Sequence, residues 1–177
     1  MSEKNTIVIT SAKRTAIGTL GGSLKSVSAH ELGAGVISDV IKNSKLKNEE
    51  VDEVIMGQVL TGGAGQNPAR QAAIKSGVPK EKPAYIVNQV CGSGIRSIAS
   101  GFQSIKAGDS KIVIAGGQES MSLAPHAIHL RDGKKLGDIE MIDTMIKDGL
   151  WDAFHGYHMG VTAENVATKF QVTRDDQ

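Results

Sequence analysis

The chain has 177 residues, 40% apolar and 22% charged, enough for one packed domain and part of a second. Its 20 basic and 19 acidic residues nearly cancel and aromatics make up only 3%, which argues against a phosphate-tracking surface or a base-stacking platform for nucleic acid. A single cysteine permits no internal disulfide and no cysteine-rich zinc site, and no apolar stretch is long enough to span a membrane, so the expectation is a cytoplasmic protein.

Thr6 to Ser11 reads as a buried strand around Ile7-Val8-Ile9, a run too brief for a signal-peptide core. A Gly-rich loop around Gly18, Gly21 and Gly22 follows. From Ser28, the residues Leu32, Val36, Ile37, Val40 and Ile41 recur at helical spacing, and Ser28 with Glu31 forms a capping box. Glu53 to Val59 reads as a second strand. The loop Thr61-Gly62-Gly63-Ala64-Gly65-Gln66 lacks both the Gly-Lys-Ser/Thr ending of a phosphate loop and the spacing of a dinucleotide fingerprint. A helix is expected from Pro68 to Ser76, with Pro in its first turn and Gly77 after its last. A strand ending at Cys91, a helix to Ala107 and a strand from Lys111 to Gly117 complete the pattern.

Apolar strands alternating with helices predict an α/β fold: a mostly parallel, mixed sheet with helices on both faces. The helix after Cys91 carries one charge, Arg96, up to Ile105, so it should be buried on most sides; the sheet can cover one side only, and this chain offers no obvious candidate to cover the other. After Gln118 the texture changes, placing a first domain at 1–119 and the start of an inserted loop domain at 120–177. There a short helix is expected around Met141, Ile142, Met145 and Ile146, with Asp138, Glu140 and Asp143 on its solvated side. A last helix should run from Thr162 to Phe170.

The chemistry centres on Val87-Asn88-Gln89-Val90-Cys91-Gly92-Ser93-Gly94, where an apolar run stops at the cysteine and a helix begins. A thiolate at that corner would meet the unpaired N–H groups and dipole of the first helical turn. Gly92 and Gly94 would let a substrate carbonyl approach. A nucleophile is one reading; a small buried apolar residue is the other.

The five histidines give no metal set: His126 and His129, like His155 and His158, lie three apart without a third ligand at useful spacing. His30 reads as a capping or surface residue, and His158 by itself as a loop histidine bonded to backbone. Gly156 and Gly160 should break any regular helix around it.

The segment around Cys91 closely resembles the acylation motif of thiolases, and Gly116-Gly117-Gln118-Glu119-Ser120-Met121-Ser122 resembles that family's second signature. Arg14-Thr15-Ala16-Ile17-Gly18, Gly65-Gln66-Asn67-Pro68-Ala69-Arg70-Gln71 and Gly156-Tyr157-His158-Met159-Gly160 match in the same order. The segment from Leu130 to Leu150 is most similar to the short-chain, biosynthetic acetyltransferases of the family. Gln89 stands where the family often has a larger or basic residue.

The resemblance implies an acyltransferase in which Cys91 takes an acetyl group from acetyl-CoA and a second acetyl-CoA condenses with it to acetoacetyl-CoA. It implies that His158 and Met159 border the pantetheine and acyl pocket and that Leu150 lies on the tunnel wall. It implies no metal and no bound cofactor, no nucleic-acid or membrane partner, and a homo-oligomer, dimer or tetramer. Thiolases are roughly twice this long. Their second half carries an Asn-held water, an activating histidine and a second cysteine as acid–base. With one cysteine in all, this chain resembles the N-terminal half and is expected to be catalytically incomplete alone. Alternatives are a non-catalytic half-thiolase subunit or scaffold, and a cysteine-dependent thioester hydrolase, which the lack of a Cys–His–Asp/Asn set weakens.

Overall fold

A computed structural model describes residues 6–177. The chain forms two compact units, the first ending at Leu123 and the second running from Ala124 to Gln177.

The first unit is built on β1 (Glu53–Gly57), β2 (Ala84–Val87) and β3 (Val113–Gly117). They form a parallel sheet in the order β2-β1-β3, with Val54 opposite Ala84 and Ile114, and Gly57 opposite Val87 and Gly117. Parallel neighbours require crossovers, and α2 (Pro68–Lys75) and α3 (Ser93–Ala107) supply them. Both crossovers leave from the carboxyl ends of strands. Side-chain alternation then divides the faces. Val54, Met56 and Ile114 pack with Ile37 and Ile41 of α1 (Ala29–Asn43) and with Ala69, Ala72 and Ala73 of α2. The opposite face, with Gly57, Val113, Ala115 and Gly117, meets α3. Helices therefore cover both faces, as the sequence predicts. Ile37, Val54 and Ile55 are almost wholly buried, each contributing about 1.5–3 kcal/mol of burial.

Local chemistry sets the helix ends. The Ser28–Glu31 capping box starts α1, Pro68 lies in the first turn of α2, and Gly108 ends α3 with φ of +88°. The strands are shorter than expected, stopping at Gly57 and starting at Val113.

Two sequence expectations are corrected, one in this unit and one in the next. Residues 6–11 form no strand, and Val8 and Ile9 are 66% and 77% exposed. Their composition favours a strand, but a strand needs a ladder partner, and β2 and β3 are the sheet edges among the described residues. The helix α3 is covered on the sheet side, through Ser93, Ser97 and Gly101, and its other side is left open, as its sequence implied for this chain. Ile95, Ile98 and Phe102 are 73%, 41% and 50% exposed.

The second unit holds β4 (His126–Ala127), β5 (Ile142–Asp143), a wide helical turn over Met145–Leu150, and α4 (Met159–Phe170). The helix expected around Met141 to Ile146 begins only at Met145, as the wide turn, and its first half is a strand instead. Ile142 pairs with Ala127 in an antiparallel ribbon, and Thr144 Oγ1 donates to the Pro125 carbonyl at 2.5 Å. Asp143 is no solvated helix residue: its Oδ1 accepts from the Met145 N–H at 2.9 Å and starts the turn. Met141, expected in a helix core, is 61% exposed. Among the described residues no helix is long and apolar enough to cross a membrane.

Candidate active site

Cys91 stands between β2 and α3, at the carboxyl edge of the sheet, and is exposed. Its corner is a tight turn pinned from both sides. The residue before the cysteine, Val90, adopts φ of +49°, a left-handed conformation that is an outlier for a β-branched residue. Asn88 Oδ1 accepts from the Val90 N–H at 2.9 Å. Ser93, 4% exposed, holds the other side: its Oγ accepts from Gln89 N–H at 2.9 Å and donates to Val90 C=O at 2.6 Å. The Gly92 N–H donates to Gln89 C=O at 3.0 Å and the Ser93 N–H to Val90 C=O at 3.0 Å, closing the turn. Strain of this kind persists only where surrounding bonds over-determine it.

Two glycines flank the sulfur differently. A Cβ at Gly92 would lie 3.3 Å from the Gln89 carbonyl oxygen, a tight contact inside the turn. A Cβ at Gly94 would meet nothing within 4 Å, so this glycine borders open space. No side chain caps α3 at Gly92; the Gly92 and Ser93 amides are engaged within the turn, so the amides that follow, those of Gly94 and Ile95, are the ones an oxyanion would address.

The second signature serves as a cross-tie at the same sheet edge. Gln118 Nε2 donates to Gln58 Oε1 at 2.9 Å, and Gln58 Nε2 donates to Leu60 C=O at 2.9 Å. Glu119 accepts from the Val59 N–H at 2.8 Å and the Leu60 N–H at 3.2 Å, fixing the loop that leaves β1. Burial pushes the Glu119 carboxyl above its ordinary range, with these backbone bonds opposing the shift. Gly33 of α1 makes room for the network, since a Cβ there would fall 2.0 Å from Gln118 Oε1. The Gln66-to-Gln71 motif is likewise architectural. Asn67 caps α2 and donates to Ala84 C=O at 2.9 Å, while the Arg70 guanidinium holds the carbonyls of Lys80 and Lys82.

Leu150, His158 and Met159 belong to the second unit. Leu150 ends the wide turn, Trp151 pairs with His158 across an antiparallel bridge, and Asp152 N–H donates to Tyr157 C=O at 2.8 Å. Leu150 and Met159 thus flank in sequence the two residues that close one short loop. His158 caps α4, its Nδ1 accepting from the Gly160 N–H at 3.0 Å. The backbone-bonded reading of this histidine holds, and no helix runs through residues 155–158, as Gly156 and Gly160 imply; α4 begins after His158 and takes Gly160 into its first turn. Accepting at Nδ1 places the neutral ring's proton on Nε2, leaving a donor free. His155 packs differently, with Nδ1 3.1 Å from Asp152 Oδ2 and its ring stacked on Tyr157. Bonds from the His155 and Phe154 N–H groups hold the Asp152 carboxyl below its ordinary range. His30 lies 3.2 Å from the Ser28 hydroxyl, consistent with a capping neighbourhood.

Sequence reading passed over Asn88, Ser93 and Gly57. Asn two positions before a turn residue is a recognised signal for a side chain closing onto backbone, and it was available for Asn88.

Residues 7–177 match the family described as Thiolase, N-terminal domain. An acetyl-CoA acetyltransferase of Rhizobium meliloti (strain 1021) is 61% identical over 171 residues, covering 97% of this chain and 44% of that protein. One from Shinella zoogloeoides is 60% identical over 97% of this chain and 43% of its own length. The acetyl-CoA acetyltransferase, cytosolic, of Rattus norvegicus is 53% identical with the same two coverages, 97% and 43%. The chain therefore spans less than half the length of these curated relatives. With the family's N-terminal domain matched over residues 7–177 and relatives this similar across nearly the whole chain, the chain belongs to the thiolase family, within that family's N-terminal domain.

Proposed function

We propose that this chain provides the acyl-accepting half of an acetyl-CoA acetyltransferase. The observation that carries the proposal is the exposed Cys91 on a strained, doubly pinned corner at the uncapped start of α3. In the first step the Cys91 sulfur attacks the thioester carbonyl of acetyl-CoA. The carbon–sulfur bond to coenzyme A breaks, and the CoA thiolate leaves and takes up a proton. Sulfur suits both halves of this exchange, being nucleophilic on entry and a good leaving group on exit. The developing oxyanion faces amides at the start of α3. In the second step a second acetyl-CoA loses an α-proton, its carbon attacks the acetyl group, and Cys91 departs as acetoacetyl-CoA forms.

Leu150, His158 and Met159 are proposed to border the pantetheine and acyl group, the free Nε2–H of His158 being a suitable donor to an amide or thioester oxygen. No metal or bound cofactor enters the scheme, acetyl-CoA and acetoacetyl-CoA being the substrates. A cytoplasmic setting and a homo-oligomer are part of the same proposal. The family resemblance assigns to a second half both the histidine that activates the nucleophile, without which the first step is slow, and the second cysteine that takes the α-proton in the second step. Cys91 is this chain's single cysteine.

Isotope exchange between labelled coenzyme A and acetyl-CoA tests the first step alone. Exchange by the 177-residue polypeptide, lost in Cys91→Ala, supports the proposal; exchange that survives the substitution overturns it. Thiolysis of acetoacetyl-CoA by the same polypeptide should remain below detection.

A further inference from the structure

We infer that Gly57, far from the cysteine in sequence, is a positioning residue for Cys91. The inference rests on the acyl-cysteine reading only for what the positioning serves.

The carboxyl end of β1 presses directly on the start of α3. A Cβ built on Gly57 would lie 2.5 Å from the Ser93 carbonyl carbon, 2.7 Å from the Ser93 oxygen and 2.7 Å from the Gly94 nitrogen. These are backbone atoms, with no flexible side chain to swing aside. The neighbouring Gly117 tolerates more, its nearest atoms lying at 3.5 Å.

Which partner must move is decided by what holds each one. Gly57 cannot retreat, because its carbonyl accepts from Gln118 N–H at 2.9 Å on one side, and the next residue, Gln58, donates to Val87 C=O at 3.1 Å on the other. Further along α3 the helix is also held: Ser97, 0% exposed, places its Oγ 2.6 Å from Gly116 C=O and 2.7 Å from Gly94 C=O, and Gly101 lies against Val113 and Ala115. Only the first turn is left to lift. Ser93 is in that turn, and its hydroxyl holds Gln89 N–H and Val90 C=O. A methyl group at position 57 is therefore transmitted through Ser93 to the turn that carries the sulfur. The absent side chain of Gly57 sets the height of the helix start above the sheet edge, and with it the relation of Cys91 to the first-turn amides.

The test uses the 177-residue polypeptide with Gly57→Ala, Ser97→Ala and a control, Gly35→Ala, whose Cβ would meet nothing within 4 Å. The readouts are the pH profile of Cys91 alkylation by iodoacetamide, the melting temperature, and the alkylation rate in urea as an unfolded reference. Gly57→Ala should alkylate about fivefold more slowly at neutral pH, with a pH profile displaced from the parent's, as expected when the backbone around the sulfur is moved. Gly35→Ala should overlay the parent, and all variants should agree in urea. A folded Gly57→Ala with the parent's profile overturns the inference. If Gly57→Ala does not fold, Ser97→Ala decides: it removes the tie between α3 and β3, a displaced profile supports the inference, and a parental profile overturns it. Acetyl-CoA labelling run in parallel separates the two readings. A displaced alkylation profile with no acetylation of the parent leaves the positioning standing and removes the acyltransferase reading. Equal acetylation and alkylation in every folded variant does the reverse.

Discussion

Replacing Val90 with glycine should be nearly neutral for stability and harmful to the cysteine. Val90 holds φ of +49°, and a β-branched residue in the left-handed region costs roughly 1–2 kcal/mol, which glycine removes. Against that, glycine loses about 0.5–1 kcal/mol more backbone entropy on folding. The valine side chain is 48% exposed, so its buried part is worth about 1 kcal/mol. These terms cancel to within about 1 kcal/mol of zero. Val87 provides the contrast. It lies in β2, in extended backbone, and is partly buried, so Val87→Gly has no strain to release and should cost about 2 kcal/mol. Urea denaturation followed by far-ultraviolet circular dichroism measures both. The same Val90→Gly protein should acetylate and alkylate Cys91 more slowly, because the turn loses the residue whose fixed backbone aims the sulfur. A Val90→Gly variant destabilised as much as Val87→Gly would refute the strain argument. One that keeps parental cysteine reactivity would refute its functional half.

Two further outcomes follow from groups distant from the cysteine. Asp52 Oδ2 accepts from the N–H groups of Lys111 and Ile112 at 2.8 and 3.0 Å, which, with Lys82 beside it, holds the carboxyl below its ordinary 3.8. A depressed carboxylate contributes stability that is present above the unfolded value and lost as pH falls through the lower folded one. Stability measured by urea titration should therefore fall below about pH 4, and Asp52→Asn should flatten that fall while costing about 1 kcal/mol at neutral pH. Ser28→Ala removes the hydroxyl of the α1 capping box and should cost about 1 kcal/mol, with Ser28→Asn restoring most of it. Glu31, held at about 2 mainly by Lys75 with help from Ser28, should titrate at higher pH in Ser28→Ala when followed by nuclear magnetic resonance.

Much of the first unit was legible because its residues obey local rules that the packing reinforces. The Ser28–Glu31 box, Pro68 at the start of α2 and Gly108 at the end of α3 each solve a terminus problem on their own. The apolar alternation of β1 also survives because α1 and α2 bury one face and α3 the other. Pattern failed where its partner was missing or where side chains overrode it. Residues 6–11 have strand composition and no neighbouring strand among the described residues. Ile142 and Met145 have helical spacing, but pairing with Ala127 and the Thr144–Pro125 bond divert the chain first. At the site, Cys91 could be picked out by type and context. Its supports could not, since the roles of Asn88 and Ser93 exist only once Val90 turns left-handed, and that of Gly57 only once β1 and α3 are brought together.

The most direct measurement is the intact mass and peptide map of the polypeptide after incubation with acetyl-CoA. The account predicts one acetyl group per chain, on Cys91, released by hydroxylamine as a thioester should be, and missing from Cys91→Ala. An unmodified Cys91, or a label that persists when the cysteine is gone, would contradict it.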